Sequence, residues 1–204
     1  EIYGGGYKIG SELDKVLDQN GNTILEIQNS PMWRTTVYGI GVRADLTDDY
    51  GDPRRGFRLD VGRWWSPPAS ASSPDYYRIE YNATAYVPLG KLSTWVFNYF
   101  RSDAHVVRQG ETDPGKVEQE QGLNCSDPAL TQQQQADCLA VVNNMIAGNT
   151  YGTASSLGGE SRLRSYPVDR FQGAHTVFYG TEVRWVLTEE ARPFDIFIAK
   201  DVRT

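Results

Sequence analysis

The stretch YYRIEYNATAYVPL, residues 76–89, alternates apolar and polar side chains with a period of two. Positions 77, 79, 81, 83, 85 and 87 carry apolar or aromatic residues, and positions 78, 80, 82 and 84 between them carry polar ones. Because successive side chains of an extended chain point to opposite sides, this pattern predicts a β-strand with two unlike faces.

Four further stretches are also predicted to be strands, and residue types typical of turns separate them. They are TTVYGIGVRADL (35–46), FRLDVGRWW (57–65), LSTWVFNYFRSD (92–103) and AHTVFYGTEVRWVL (174–187). Turn-rich sequence lies between the first two, and a loop rich in proline and serine follows the second. The predicted fold class is therefore all-β and antiparallel.

Two features favour a transmembrane β-barrel over a soluble protein. Tyrosine and tryptophan recur near the ends of the apolar faces, as an interfacial aromatic girdle requires, and short connections alternate with long ones. A soluble β-sandwich or lipocalin-like barrel, which has the same alternation, is the alternative. The 204 residues carry a formal net charge of −6 without a basic stripe, so no nucleic-acid partner is expected.

The polar region between the last two predicted strands has structure of its own. Cys125 and Cys138 are spaced for a local disulfide in an oxidising compartment, the alternative being two free surface thiols. Asp127 is predicted to cap a helix that begins at Pro128 and ends at Gly148. A disordered glutamine-rich loop is the alternative to this helix.

Nothing in the sequence favours an enzyme or a cofactor site. The two histidines, His105 and His175, are far apart and accompany no ordered set of nucleophile, base and acid. A catalytic pair of carboxylates, as in glycosidases, is an open alternative that no feature of the sequence favours. No metal and no cofactor are expected.

The segment LGGESRLRSYPVDRFQG, residues 157–173, concentrates arginines beside glycines. The arginines of such a loop bind an anion, tie the loop to carboxylates elsewhere, or are simply solvated in an exposed turn. Composition alone leaves these three interpretations open.

The order of several motifs resembles the C-terminal barrel of the bacterial surface antigen superfamily, of BamA/TamA type. The motifs are DDYGDPRRGF (48–57), EYNATAYVPL (80–89), LGGESRLRSYPVDRF (157–171), GTEVRW (180–185) and RPFDIFIAKDVRT (192–204). In the long loop the family pattern is matched by Gly158-Gly159, Arg164-Ser165-Tyr166 and Arg170-Phe171. Serine 165 stands where the family usually has glycine.

The resemblance implies an antiparallel transmembrane barrel of sixteen strands, of which this chain is expected to be a part. Residues 1–30 are then an outer loop and strand end, and residues 31–103 are four barrel strands with short periplasmic turns. Residues 104–173 form the long extracellular or lumenal loop. Residues 174–204 contain a strand, a periplasmic turn and the start of another strand.

The resemblance also implies a site. The long loop folds back into the barrel lumen, where Arg164 pairs with Glu182 on the inner wall, and Gly158 and Gly159 allow the turn. Ser165, Tyr166, Arg170 and Phe171 complete this tie. The alternatives are a solvated Arg164, an Arg170 that contacts the barrel rim, and a Glu182 that pairs only with its same-face neighbour Arg184.

By the same resemblance, the expected function is assembly and insertion of outer-membrane proteins, without enzymatic activity. The expected partners are lipids and lipopolysaccharide of the bacterial outer membrane, unfolded client proteins, and accessory lipoproteins or other subunits. A passive channel and a two-partner secretion translocator are alternatives. A soluble carrier is another, and it predicts that Ile79, Tyr81 and Val87 point to an apolar interior.

Overall fold

The computed structural model describes residues 1–11, 15–17, 23–26, 33–90, 92–160, 162–185, 194–196 and 199–202. The strands are β1 (Ile2–Ser11), β2 (Lys15–Leu17), β3 (Thr23–Glu26), β4 (Trp33–Asp45), β5 (Gly56–Ser66), β6 (Asp75–Pro88), β7 (Ser93–Arg108), β8 (His175–Trp185), β9 (Phe194–Ile196) and β10 (Ala199–Val202). Six of them form one antiparallel sheet in the order β1-β4-β5-β6-β7-β8. The pairs β2-β3 and β9-β10 are separate two-stranded sheets.

The predicted all-β antiparallel class is confirmed. In the described residues β1 and β8 are the two edges of an open sheet, so closure into a barrel and the number of sixteen strands stay predictions. Two boundaries differ from those expected from the sequence. β1 is a ten-residue strand inside the segment expected to be a loop and strand end, and β7 continues to Arg108, into the segment expected to be loop.

The two faces of the sheet differ in what covers them. Large apolar side chains on one face are exposed, among them Ile40, Tyr81, Val87 and Tyr179. The opposite face carries most of the charged side chains of the strands, and residues of the connection between β7 and β8 lie against it. Phe100 is 2 % exposed there. Tyr81 and Val87, which a soluble carrier would turn toward an apolar interior, lie on this exposed face.

The connection between β7 and β8 contains two helices, α1 (Pro114–Gln121) and α2 (Gln132–Tyr151). The sequence predicted one helix beginning at Pro128, and this start is wrong. Thr131 and Gln134 form a capping box, so α2 begins at Gln132, while Asp127 instead bonds the N–H of Ala129 in the preceding turn. In the described residues no helix is both long and apolar enough to cross a membrane.

The turn between β4 and β5 is organised by Asp48. Its carboxylate accepts hydrogen bonds from the backbone N–H groups of Asp49, Arg54 and Arg55, at 3.0 to 3.1 Å. The N–H groups of Arg55 and Arg54 stabilise the charged carboxylate and thereby lower the pKa of Asp48. Side-chain bonding of this kind explains why a sequence rich in aspartate forms this turn.

Candidate functional site: the covered polar face of the sheet

The covered face of the sheet carries a lattice of ion pairs. Its pairs are Arg43 with Asp60 at 2.6 Å, Arg58 with Asp45 at 2.7 Å, and Arg78 with Glu80 at 2.7 Å. The strand register explains the first two, because it places each arginine directly opposite its carboxylate on the neighbouring strand. These side chains are partly buried, so removal of one partner leaves a poorly solvated charge.

The chain enters this face immediately after α2. Gly152 has a φ of +73° and lies so close to the sheet that an added Cβ would be 3.1 Å from the Tyr76 ring. The N–H of Ser155 then donates to Oγ of Ser102 at 3.0 Å, and the Ser155 hydroxyl bonds the Glu80 carboxylate. Two serines and a carboxylate thus fasten the connection to β6 and β7.

Arg162 is the cation that the connection inserts into the covered face. Its guanidinium carbon lies 3.4 Å from the centroid of the buried Phe100 ring, in cation–π geometry. Burial lowers the pKa of Arg162, and the charge of Glu80 opposes that shift. Sequence reasoning missed this residue, because the family motif was matched to Arg164. The only hint in that stretch was that Arg162 lies two positions before the matched Arg164.

The segment predicted to turn at Gly158 and Gly159 folds compactly on itself. The two glycines have φ values of +117° and +95°, a region that side chains with a Cβ rarely adopt. The N–H of Gly159 donates to the carbonyl of Tyr166 at 3.0 Å. The Tyr166 and Phe171 rings meet edge to face with centroids 5.1 Å apart. Tyr166 and Phe171 of the motif therefore stabilise the fold of the segment itself.

Arg164 and Glu182 make contacts other than the predicted one. Nε of Arg164 donates to the carbonyl of Glu160 at 2.9 Å, within its own segment. Glu182 pairs at 2.7 Å with Arg184, its neighbour on the same face of β8. Both Arg164 and Glu182 line one cleft of about 350 Å³, together with Arg162 and Arg184. The structure brings the two predicted residues into the same cleft but does not pair them.

The remaining residues of the predicted tie lie at its surface. Ser165 is exposed in the turn before Tyr166. Arg170 is exposed too, and its backbone N–H donates to the carbonyl of Pro167 at 3.3 Å. Phe171 pairs through its backbone with Leu157 and so closes the base of the segment.

Cys125 and Cys138 are joined in a disulfide with an S–S distance of 1.99 Å. Both are almost fully buried and form, with Val117, Leu123 and Val142, a small apolar core between α1 and α2. The bridge therefore holds the segment after α1 against α2. This small core, against which Val141, Met145 and Ile146 of α2 also pack, keeps the two helices together.

An antiparallel sheet with one exposed apolar face and one charged face, covered by its own longest connection, has the features of an outer-membrane barrel wall. The family model of the Omp85 superfamily domain matches residues 7–124, more than half of the chain. The chain belongs to the Omp85 superfamily, which confirms the predicted kinship with surface antigen proteins. No curated protein and no solved structure matches it.

Proposed function

We propose that this chain is part of the barrel of an outer-membrane protein that assembles and inserts other outer-membrane proteins, as factors of BamA/TamA type do. The observation that carries the proposal is the docking of Gly152, Ser155 and Arg162 on the charged face in a member of the Omp85 superfamily. This contact gives the barrel a fixed interior, on which a controlled opening elsewhere in the wall depends.

The mechanism is physical and involves no chemical step. A client strand forms backbone hydrogen bonds with an exposed strand edge of the barrel, as in β-augmentation. Unpaired backbone groups are costly in lipid, so such an edge lowers the barrier to insertion of the client. The residues described here serve as the wall and its internal fastening, and the exposed apolar face contacts lipid.

The partners follow from this role. Lipids and lipopolysaccharide of the bacterial outer membrane contact the apolar face, and unfolded outer-membrane proteins are the clients. Accessory lipoproteins or other subunits complete the assembly. The finer assignment among the branches of the superfamily is part of the proposal.

The charged cleft lined by Arg162, Arg164, Glu182 and Arg184 favours a second candidate, a translocator or channel with a polar lumen. Such a protein passes ions or an unfolded chain through its interior. It predicts open conductance in a planar bilayer, whereas an insertion factor with a docked loop conducts poorly.

Depletion of the full-length protein in its native cell separates the two candidates. We expect the folded fraction of abundant outer-membrane proteins, read from heat-modifiable gel mobility, to fall as the protein is depleted. Re-expression of the wild-type gene restores it. Unchanged levels of all folded outer-membrane proteins, together with loss of a single secreted substrate, contradict assembly and favour translocation.

A further inference from the structure

We propose that Arg63, on the exposed apolar face, binds a phosphate of a phosphorylated glycolipid in the outward leaflet of the membrane. The inference rests on the proposed outer-membrane location and adds a lipid site to it. The proposed ligand is lipopolysaccharide, whose glycolipid anchor carries phosphates.

Arg63 lies on the exposed face of β5, and its contacts differ from those of the ion-paired strand arginines Arg43, Arg58, Arg78, Arg101 and Arg184. The register pairs it with Ile40 on β4 and Ile79 on β6, so its neighbours across both strands are apolar. In the described part of the chain it contacts no carboxylate. Arg101, on the same face of β7, pairs at 2.6 Å with Asp103, so its charge is neutralised within the protein.

Two aromatic rings hold the Arg63 guanidinium. Its central carbon lies 4.7 Å from the centroid of the Trp65 ring and 3.9 Å from that of Tyr77. Stacking of this kind uses the flat face of the guanidinium and leaves its N–H groups at the edge available. Those groups match the oxygens of a phosphate in bidentate geometry.

The height of Arg63 on the wall places it where headgroups begin. On the same face, the next row outward is aromatic, with Trp65 of β5 opposite Tyr38 of β4 and Tyr77 of β6. Aromatic rows of this kind flank the apolar band of outer-membrane barrels at the interface. Arg63 lies one row inside this aromatic row, at the outward edge of the apolar band.

A cation at that edge without a protein carboxylate is complementary to an anionic lipid headgroup. The long connection between β7 and β8 leaves the sheet at the same end, which is the outward end in the proposed orientation. The phosphates of an outward-leaflet glycolipid lie at this level, with their acyl chains along the apolar rows below. Lys8 on β1 and Arg34 on β4, exposed farther outward, add to the positive field, which Asp75 partly offsets.

The test compares lipid binding by the full-length protein and its variants in detergent micelles, by native mass spectrometry. The probes are a phosphorylated lipid A glycolipid, its dephosphorylated form and an anionic glycerophospholipid. We expect Arg63→Gln to weaken binding of the phosphorylated glycolipid about tenfold, the worth of one charge-assisted contact. Arg63→Lys, which keeps the charge but loses the bidentate stacked geometry, is expected to fall between the two. Lys116→Gln removes one charge from α1 and is the matched control, with binding unchanged.

Equal binding by wild type and Arg63→Gln overturns the site. If the wild-type protein binds the dephosphorylated glycolipid or the glycerophospholipid as tightly as the phosphorylated glycolipid, the glycolipid phosphate is not the ligand of this site. Client folding measured in bilayers without glycolipid keeps the two proposals separate. If wild type folds clients there and Arg63→Gln does so equally well, a failed lipid result bears only on the lipid site.

Discussion

Replacement of Arg162 by glutamine is the perturbation that most directly probes docking of the long connection. The side chain is half-buried, and its guanidinium lies 3.4 Å from the Phe100 ring centroid. Glutamine keeps a polar group and part of the stem but loses the charge over the ring. We expect residues 152–164 to open more often, while the sheet itself stays folded.

The magnitude follows from two opposed contributions. A partly desolvated cation–π contact contributes up to about 2 kcal/mol. The lowered pKa of Arg162 shows that burial of the charge opposes part of this gain. A net loss of about 1 kcal/mol remains, which raises the population of the open state about fivefold.

Amide hydrogen exchange of the purified full-length protein measures this opening. Peptides covering residues 152–164 are expected to exchange about fivefold faster in Arg162→Gln, in line with the estimate of local opening. Arg164→Gln is the matched control: Arg164 is exposed and its Nε bonds the Glu160 carbonyl within its own segment, so exchange in this variant is expected to stay at the wild-type rate. Identical exchange in wild type and Arg162→Gln, or a larger effect of Arg164→Gln, refutes the reasoning.

Three further predictions concern the connection and one turn. Gly152→Ala strains a residue with φ +73° that lies against the sheet, so we expect faster proteolysis of the connection; Gly173→Ala, whose Cβ has ordinary space, is the control. The double variant Cys125→Ser, Cys138→Ser loses about 3 kcal/mol of loop-closure stabilisation and is expected to release the helices to protease, whereas equal resistance contradicts a structural role. The bonds that lower the pKa of Asp48 stabilise the turn fully above the ordinary carboxyl pKa of about 4, and this stabilisation is lost as pH falls through the lower folded pKa. Asp48→Asn is therefore expected to lower the unfolding temperature at pH 7 and to lose less between pH 7 and pH 3 than wild type does; parallel pH curves contradict this.

The sheet was predictable from sequence because its signal is local and repeated. Alternation along residues 76–89 and 35–46 assigns each side chain to one of two faces, and the structure keeps those faces apart. The short helix α1 gave a weaker signal. It is eight residues long and buries only Val117, so its stability comes from the cap at Asp113 and from packing against α2.

The site was predictable only in outline. The family resemblance implied a loop that folds back, and the structure does place Ser155 and Arg162 of this loop over the charged face. Which arginine enters depends on the path of the backbone through Gly158 and Gly159, and that path is set by tertiary contacts. Arg162 therefore lies over Phe100, while Arg164 turns back to Glu160.

We propose that the protein promotes insertion of other outer-membrane proteins. The most direct test is the folding rate of a urea-unfolded outer-membrane protein added to liposomes that contain the purified full-length protein. Conversion is followed by heat-modifiable gel mobility, and conductance of the same preparation is recorded in a planar bilayer. We expect faster folding than in protein-free liposomes, with low conductance. Folding no faster than in protein-free liposomes, with a stable open conductance, contradicts it and makes the protein a channel.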